Sequence, residues 1–252
     1  MKHVASCSFG KDSIATVILA KEHNEPLGEI VYCEVMFDEN ISAELPEHKD
    51  FIYDKAIPVF ESWGYKVTVL RSDKTYLDCF YHVATKGKRI GKMLGFPMSG
   101  KCLINRDCKL KPIKEYWKQQ QKDVVQYIGI AKDEPKRLER IANTENKISL
   151  LEKYEYTERM AYDLCKKYDL LSPIYDFTKR GGCWFCPNAR DSGLRHLRNN
   201  HKGLWAKLLE LENMQNLIGN KWNTLTNTSI HDKEEQFYWE KQQITIFDYF
   251  NL

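Results

Sequence analysis

No stretch of 18 apolar residues occurs anywhere in these 252 residues, so the sequence carries no transmembrane helix. The apolar start, Met1 to Cys7, turns polar too soon to form the core of a secretory leader, and a cytoplasmic protein is expected. Internal repeats and low-complexity tracts are lacking as well, so no repeat architecture is expected. Two familiar nucleotide fingerprints are missing: neither G-x-x-x-x-G-K-[ST] nor G-x-G-x-x-G can be found. No cysteine follows Cys186. Wholesale disorder is excluded by what is present, since 42% hydrophobic and 12% aromatic residues suffice for a sizeable core. The length fits one domain with appendages or two small ones.

The net charge of +3 is unevenly spread. Residues 86–122 hold 11 Lys/Arg against 2 Asp/Glu, a local +9, which leaves −6 for the remainder. Residues 179–202 hold 6 against 1, a local +5. Such segments suit an anionic ligand, either a phosphate-rich small molecule or nucleic acid; a solvated face is the plainer reading of any one charge run.

The first 70 residues alternate strand and helix. Val4 to Ser8 is short and apolar to small. Ile14, Ala15, Val17, Ile18 and Ala20 recur at helical spacing, and Glu29 to Phe37 is a nearly continuous apolar run of the kind a buried parallel strand shows. A helix marked by Ile52, Ala56, Val59, Phe60 and Trp63 follows Pro46, and Lys66 to Leu70 is a third strand. This is an α/β pattern with a parallel sheet. Residues 73–122 break the rhythm as a basic insertion or flap with a helix near 109–121. Strand returns at 124–130, and helices are expected at 133–142, from Thr157 to about Lys167, and over most of 190–218. The tail from Asn220 has no assignable pattern.

Ser8-Phe9-Gly10-Lys11-Asp12-Ser13 lies between the first strand and the first helix. Glycine allows close backbone approach there, the free N–H groups of the helix attract an anion, and Lys11 adds charge. An ordinary capped turn is the alternative reading of these six residues alone.

Those six residues resemble the S-x-G-K-D-S loop of the PP-loop superfamily, within it the phosphoadenosine-phosphosulfate (PAPS) reductase-like branch. Four other segments agree in order. Phe37-Asp38-Glu39-Asn40 with Leu45-Pro46-Glu47 is similar to that branch's F-D-T-G…F-P-E, though Glu39-Asn40 replaces Thr-Gly. Gly129 to Arg137 is similar to its G-x-R-x-x-E-x-x-R, with Lys132 near the arginine position, and Ser172-Pro173-Ile174-Tyr175 matches the stretch ahead of its second cysteine pair. The resemblance implies a mostly parallel, doubly wound, Rossmann-like sheet. It implies a nucleotide-binding domain over 1–188 and a helical C-terminal extension over 189–252. It implies that Ser8, Phe9, Gly10, Lys11, Asp12 and Ser13 hold the phosphates of ATP or a related adenine nucleotide, with Mg2+. Phe37 and Asp38 would approach the adenosine, and Gly129 and Glu134 would line the site. Lys11, Asp12, Lys132 and Arg137 are then the candidate catalytic residues.

Eight cysteines in a chain this long point to metal or redox chemistry rather than to disulfide staples. Cys102 and Cys108 form C-x5-C; Cys183 and Cys186 form C-x-x-C in Gly181-Gly182-Cys183-Trp184-Phe185-Cys186-Pro187. Two such pairs complete a four-sulfur site. Spacing does not decide between Zn2+ and a [4Fe-4S] cluster; the resemblance, which extends to the iron–sulfur subunit of DNA phosphorothioation systems, favours the cluster. Cys7, Cys33 and Cys165 fall on apolar element positions and read as core, and Cys79 is ambiguous.

True sulfonucleotide reductases need a nucleophilic cysteine after the second pair, which this chain lacks. The expected activity is therefore adenylation or cleavage of ATP to AMP and pyrophosphate, linked to sulfur transfer or nucleic-acid modification. The expected partners are the nucleotide, with tRNA, DNA or a protein, or further copies of the chain. A reductase-like protein and a non-catalytic nucleotide-binding subunit are the alternatives.

Overall fold

The computed structural model of the protein describes residues 1–98, 102–120, 124–144 and 146–250, with side chains described up to 243. Part of the basic insertion (99–101, 121 and 122) thus lies outside the described residues. Among those described, seven strands occur: β1 (Lys2–Ser6), β2 (Glu29–Glu34), β3 (Lys66–Arg71), β4 (Met93–Gly95), β5 (Val124–Ile128), β6 (Lys147–Ile148) and β7 (Leu217–Gly219). By its contacts the chain divides into two compact units. The first comprises 1–35, 44–72 and 109–181; the second comprises 36–43, 73–108 and 182–252. Residues 189–252, expected as a separate helical extension, fall in the second unit together with 36–43 and 73–108.

The first unit is built on a five-stranded, all-parallel sheet in the order β3-β2-β1-β5-β6. Successive strands step one way from β1 to β3. The chain then returns past β1 to β5 and steps the other way, the doubly wound pattern the sequence implies. β2 lies between β3 and β1, and all six of its residues are buried, Glu29 and Glu34 included. Glu34 is stabilised there by Arg71 on β3, 2.7 Å away, and by the Tyr53 hydroxyl at 2.6 Å. The helix α1 (Lys11–Glu22) follows β1. Eight consecutive residues, Ser13 to Ala20, are buried, so this helix is enclosed rather than amphipathic. It packs against Leu150, Leu151, Ala161, Leu164 and Cys165. Truncating a fully buried residue such as Leu19 to Ala costs about 2–5 kcal/mol.

One element differs from the sequence expectation. The strand expected over 29–37 ends at Glu34; Met36 instead bridges Ser42, and the Phe37 N–H bonds Ile41 O at 2.7 Å, which turns the chain out of the sheet. The helix expected to begin at Pro46 does begin there, and it passes through a π-helical turn at Phe51–Ala56 before Ile57–Ser62.

The second unit joins β4 and β7 in a parallel pair. A Cβ on Gly95 would stand 2.3 Å from Gly219 O, and one on Gly219 2.2 Å from Phe96 O, so only glycines permit this crossing. Helices Asp191–Asn200, Lys202–Glu212 and Ile230–Phe250 complete the unit. The last accounts for much of the tail that had no pattern. Arg198–Glu234 at 2.6 Å, Arg195–Glu240 at 2.9 Å and Lys233–Asp191 at 2.9 Å tie it to the first of them. No helix among the described residues is long and apolar enough to cross a membrane.

Candidate nucleotide loop and cysteine centre

The 8–13 loop leaves the C-terminal end of β1 beside β5, where the strand order reverses, and open α/β sheets bind ligands at that position. Phe9 adopts a left-handed φ of 55°. Its ring is fully buried, edge-on to Tyr32 at 5.1 Å and stacked on Phe60 at 6.0 Å, so burial holds the strained residue in place. Gly10 is the N-cap of α1 and offers no side-chain cap. Ser13 ties the loop together: its Oγ donates to Gly10 O at 2.9 Å and accepts the Ser8 N–H at 3.2 Å. The Lys11 N–H, one of the free donors at the helix start, donates to the Tyr175 hydroxyl oxygen at 2.8 Å. Gly129, at the end of β5, presses on the loop; a Cβ there would lie 2.7 Å from Ser13 N and 2.8 Å from Asp12 C.

Charge is concentrated at the loop. Lys11 Nζ bonds Asp12 Oδ1 at 2.8 Å and Glu158 Oε2 at 3.0 Å. Burial works against the ammonium, but Asp12 and Glu158 outweigh it and its pKa is raised. Asp12 is also raised. Burial is the main cause, and the negative charges of Glu158 and Glu134 add to it despite Lys11. Lys132 is held by Glu155 at 2.7 Å, and Arg137 by Glu134 at 2.6 Å, so both candidate catalytic cations are engaged in ion pairs.

Four participants escaped the sequence reading. Glu158 and Tyr175 are described above. His48 and Ser172 are both buried, with Nδ1 2.8 Å from Ser172 Oγ, and Glu44 Oε2 lies 3.9 Å from His48 Nε2. Burial lowers the His48 pKa, against the opposing pull of Glu44 and the Ser8 backbone, so the imidazole is neutral and adjoins the loop. Only Ser172 and Tyr175 left a trace, as the ends of the Ser172-Pro173-Ile174-Tyr175 motif. Nothing in the sequence places His48 124 residues away beside Ser172.

The sulfur-rich site lies wholly in the second unit. Cys183 and Cys186 sit on a turn closed by the Cys186 N–H to Cys183 O at 2.9 Å. Trp184 pins that turn, donating from its backbone to Ala43 O and from Nε1 to Ser42 O, each at 2.9 Å. Cys108 is fully buried, and Cys79, from the short helix Tyr76–Phe80, lies 3.8 Å from it, sulfur to sulfur. That contact lowers the Cys79 thiol and raises Cys108, whose pKa is raised further by burial and by the charges of Cys79, Asp107 and Cys183. The Tyr76 phenol on the same helix is raised strongly, first by burial and then by Cys102 and Cys183. Cys79 and Cys108 thus meet sulfur to sulfur, and Cys183 and Cys186 share one turn. Phe37, Trp184 and Phe185 wall the site: Phe37 lies 4.7 Å from Trp184, and Phe185 4.2 Å from Tyr76. Phe37 is thus a buried ring of this wall, and Asp38 spends its Oδ1 on the Asn40 and Ile41 N–H groups at 2.9 and 2.7 Å.

Soft donors beside buried aromatic rings fit a thiophilic metal group; Cys108 is buried, Cys102, Cys183 and Cys186 are half-buried, and no disulfide uses any of the eight cysteines. The Tyr76 hydroxyl is buried with no hydrogen-bond partner among the described residues, a vacancy that ordinarily costs about 1–3 kcal/mol. Among the described residues, no three of these sulfurs come within 4.8 Å of one another. One zinc with Zn–S of about 2.3 Å would draw four sulfurs to edges of about 3.8 Å.

A solved structure, the U34-tRNA thiolase NcsA from Methanococcus maripaludis with its [4Fe-4S] cluster, is similar at 16% identity over 92% of this chain and 80% of that one, with a TM-score of 0.42. No protein-family model and no curated protein matches the chain.

In the first basic segment Arg106 pairs with Asp107 at 2.6 Å and Lys111 with Glu115 at 3.9 Å. Lys86, Lys88, Arg89 and Lys92 are all exposed, the first three in or next to the 3-10 turn Gly87–Arg89. In the second, Arg195 and Arg198 are consumed by Glu240 and Glu234.

Proposed function

We propose that the protein is an ATP-using enzyme of the PP-loop type. It would bind the nucleotide phosphates on the 8–13 loop, carry a metal centre on Cys102, Cys108, Cys183 and Cys186, and act in sulfur transfer or nucleic-acid modification. The observation that carries the reading is the loop itself: a turn at the sheet's reversal point, with Gly129 against it and an uncapped helix start beyond it. In that role Lys11 exchanges Asp12 and Glu158 for phosphate oxygens, and the Lys11 N–H exchanges the Tyr175 hydroxyl. Asp12 and Glu134 would then hold Mg2+, which when bound neutralises phosphate charge. Cys102, Cys108, Cys183 and Cys186 remain the assigned ligands, for a [4Fe-4S] cluster or, as the alternative, Zn2+. Exposed Lys86, Lys88, Arg89 and Lys92 support a polyanionic acceptor such as tRNA or DNA.

The test is pyrophosphate release from ATP and magnesium by the anaerobically purified chain, with and without RNA. ATP binding without turnover would favour the second reading, a non-catalytic nucleotide-binding subunit. The ion pairs that occupy Lys132 and Arg137 support that alternative.

A further inference from the structure

Tyr76 raises a question that packing does not answer. Its ring meets Phe37 at 5.3 Å, Phe185 at 4.2 Å and Phe80 at 6.0 Å. A phenylalanine would supply all of that without burying a hydroxyl. Yet the hydroxyl is there, fully enclosed and without a hydrogen-bond partner among the described residues. The helix that carries it brings Cys79 to 3.8 Å from Cys108, sulfur to sulfur, and its ring lies 4.2 Å from Phe185 in the Cys183–Cys186 turn. A neutral thiol is a weak acceptor, whereas a metal-bound thiolate is an anionic one. The hydroxyl therefore finds its acceptor only when the sulfurs carry charge, that is, when the centre is loaded.

Cys79 poses the same question from the next turn of the helix. The four assigned ligands already complete a centre, and Cys79 makes a fifth sulfur, 3.8 Å from Cys108. The helix Tyr76–Phe80 is fixed by a reciprocal cap. The Asp78 N–H donates to Thr75 Oγ1 at 3.2 Å, and the Thr75 N–H donates to Asp78 Oδ2 at 2.8 Å. One short, capped element thus presents an O–H and an S–H donor to the same group of sulfurs.

We infer that Tyr76 and Cys79 are positioning residues of the cysteine centre. They donate hydrogen bonds to its thiolates, Cys79 to Cys108 and Tyr76 from its enclosed hydroxyl, without ligating the metal themselves. This rests on the four-cysteine reading above. Donors to a ligating sulfur withdraw charge from it, which strengthens retention of the ligand set and makes a redox-active group easier to reduce.

The experiment uses the full chain loaded anaerobically with ferrous iron and sulfide, and in parallel with zinc. Tyr76→Phe keeps the ring packing, and Cys79→Ser keeps a donor where Cys79→Ala removes it. The expected result is that all three variants load as much metal as the unaltered chain. Tyr76→Phe and Cys79→Ala should then lose it to a chelator at about 10–100-fold lower chelator concentration. The iron-loaded forms of those two should show a more negative reduction potential, and Cys79→Ser should behave much as the unaltered chain. Cys79→Ala that takes up no metal would make Cys79 a ligand and overturn the inference. So would Tyr76→Phe with unchanged retention and unchanged potential. An unaltered chain that binds no metal overturns the centre itself, an outcome distinct from a loaded centre indifferent to both substitutions.

Discussion

Replacing Gly129 by alanine isolates the contact on which the nucleotide reading depends. The added Cβ would stand 2.7 Å from Ser13 N and 2.8 Å from Asp12 C, whereas ordinary contact begins at 3.4 Å. The shortfall of 3.4 − 2.7 = 0.7 Å falls on backbone atoms, so no side-chain rotation relieves it. The 8–13 loop must move away from β5, or β5 must give. Overpacking of this kind costs about 1–3 kcal/mol, which for a chain of this size lowers Tm by about 2–4 °C per kcal/mol. The effect on ligand should exceed the effect on fold, because the moved atoms are the donors that would face the phosphates. Misplacement near 1 Å costs up to about 100-fold where geometry is demanding. ATP affinity by titration calorimetry should therefore fall at least 10-fold at a temperature where Gly129→Ala remains folded by circular dichroism. Gly193→Ala provides the control: a Cβ there meets nothing within 4 Å, and alanine in a helix gains up to about 1 kcal/mol. Unchanged ATP affinity in folded Gly129→Ala would refute the argument that this loop carries the nucleotide.

Four further outcomes are expected. Tyr175→Phe takes away the acceptor of the Lys11 N–H in the empty chain but not in the phosphate-bound one. ATP affinity should rise by about 2- to 10-fold, the worth of one hydrogen bond of about 0.5–1.5 kcal/mol; a fall in the same calorimetric titration would mean that the phenol itself binds phosphate. Unfolded His48 takes up a proton near pH 6.5, while the folded state resists it to lower pH, so stability should decline as pH drops below about 6.5. Urea midpoints at pH 7.5 and 5.5 should show this, and His48→Asn should lessen the difference. Cys183→Ser and Cys186→Ser should each lower metal content measured by elemental analysis, and full occupancy in both would remove them from the ligand set. If the exposed 86–92 cations contact phosphates, Lys88→Ala should flatten the slope of log K against log salt for single-stranded RNA by about 0.7; an unaltered slope in gel-shift titrations would leave Lys88 as a solvated charge.

The sheet and its loop were legible because their signals are local. Glu29 to Glu34 reads as one apolar run, and Ser8 to Ser13 sits where a strand passes into a helix. What was not legible depends on partners far along the chain. Cys79 looked ambiguous because the residue that gives it meaning, Cys108, lies 29 positions on. Phe37 reads as the end of a strand, and only the turn made by Met36 and Ser42 delivers it to Trp184 instead. The β4–β7 pair joins two three-residue segments more than 120 positions apart, and neither glycine announces the other. The helix Ile230–Phe250 mixes aromatic and charged residues around its circumference, so no apolar stripe marked it. Tyr175 and Glu158 were hidden for the same reason as Cys79: each meets Lys11 across roughly 150 residues.

The interleaving of the two units has a consequence for the order of events during synthesis. The chain passes into the second unit at residue 36, leaves it at 44, re-enters at 73, leaves again at 109, and returns for good at 182. Cys79, Cys102 and Cys108 are therefore made before the 73 residues 109–181, while Trp184, Phe185 and the Cys183–Cys186 turn that enclose them are made after. At about 5–20 residues per second, three thiols wait several seconds on the nascent chain without their aromatic wall. The parallel sheet of the first unit can close in that interval, since all its strands precede residue 149. The sulfur site is then completed after the sheet, and in that interval its thiols are open to oxidation or to capture of the wrong metal.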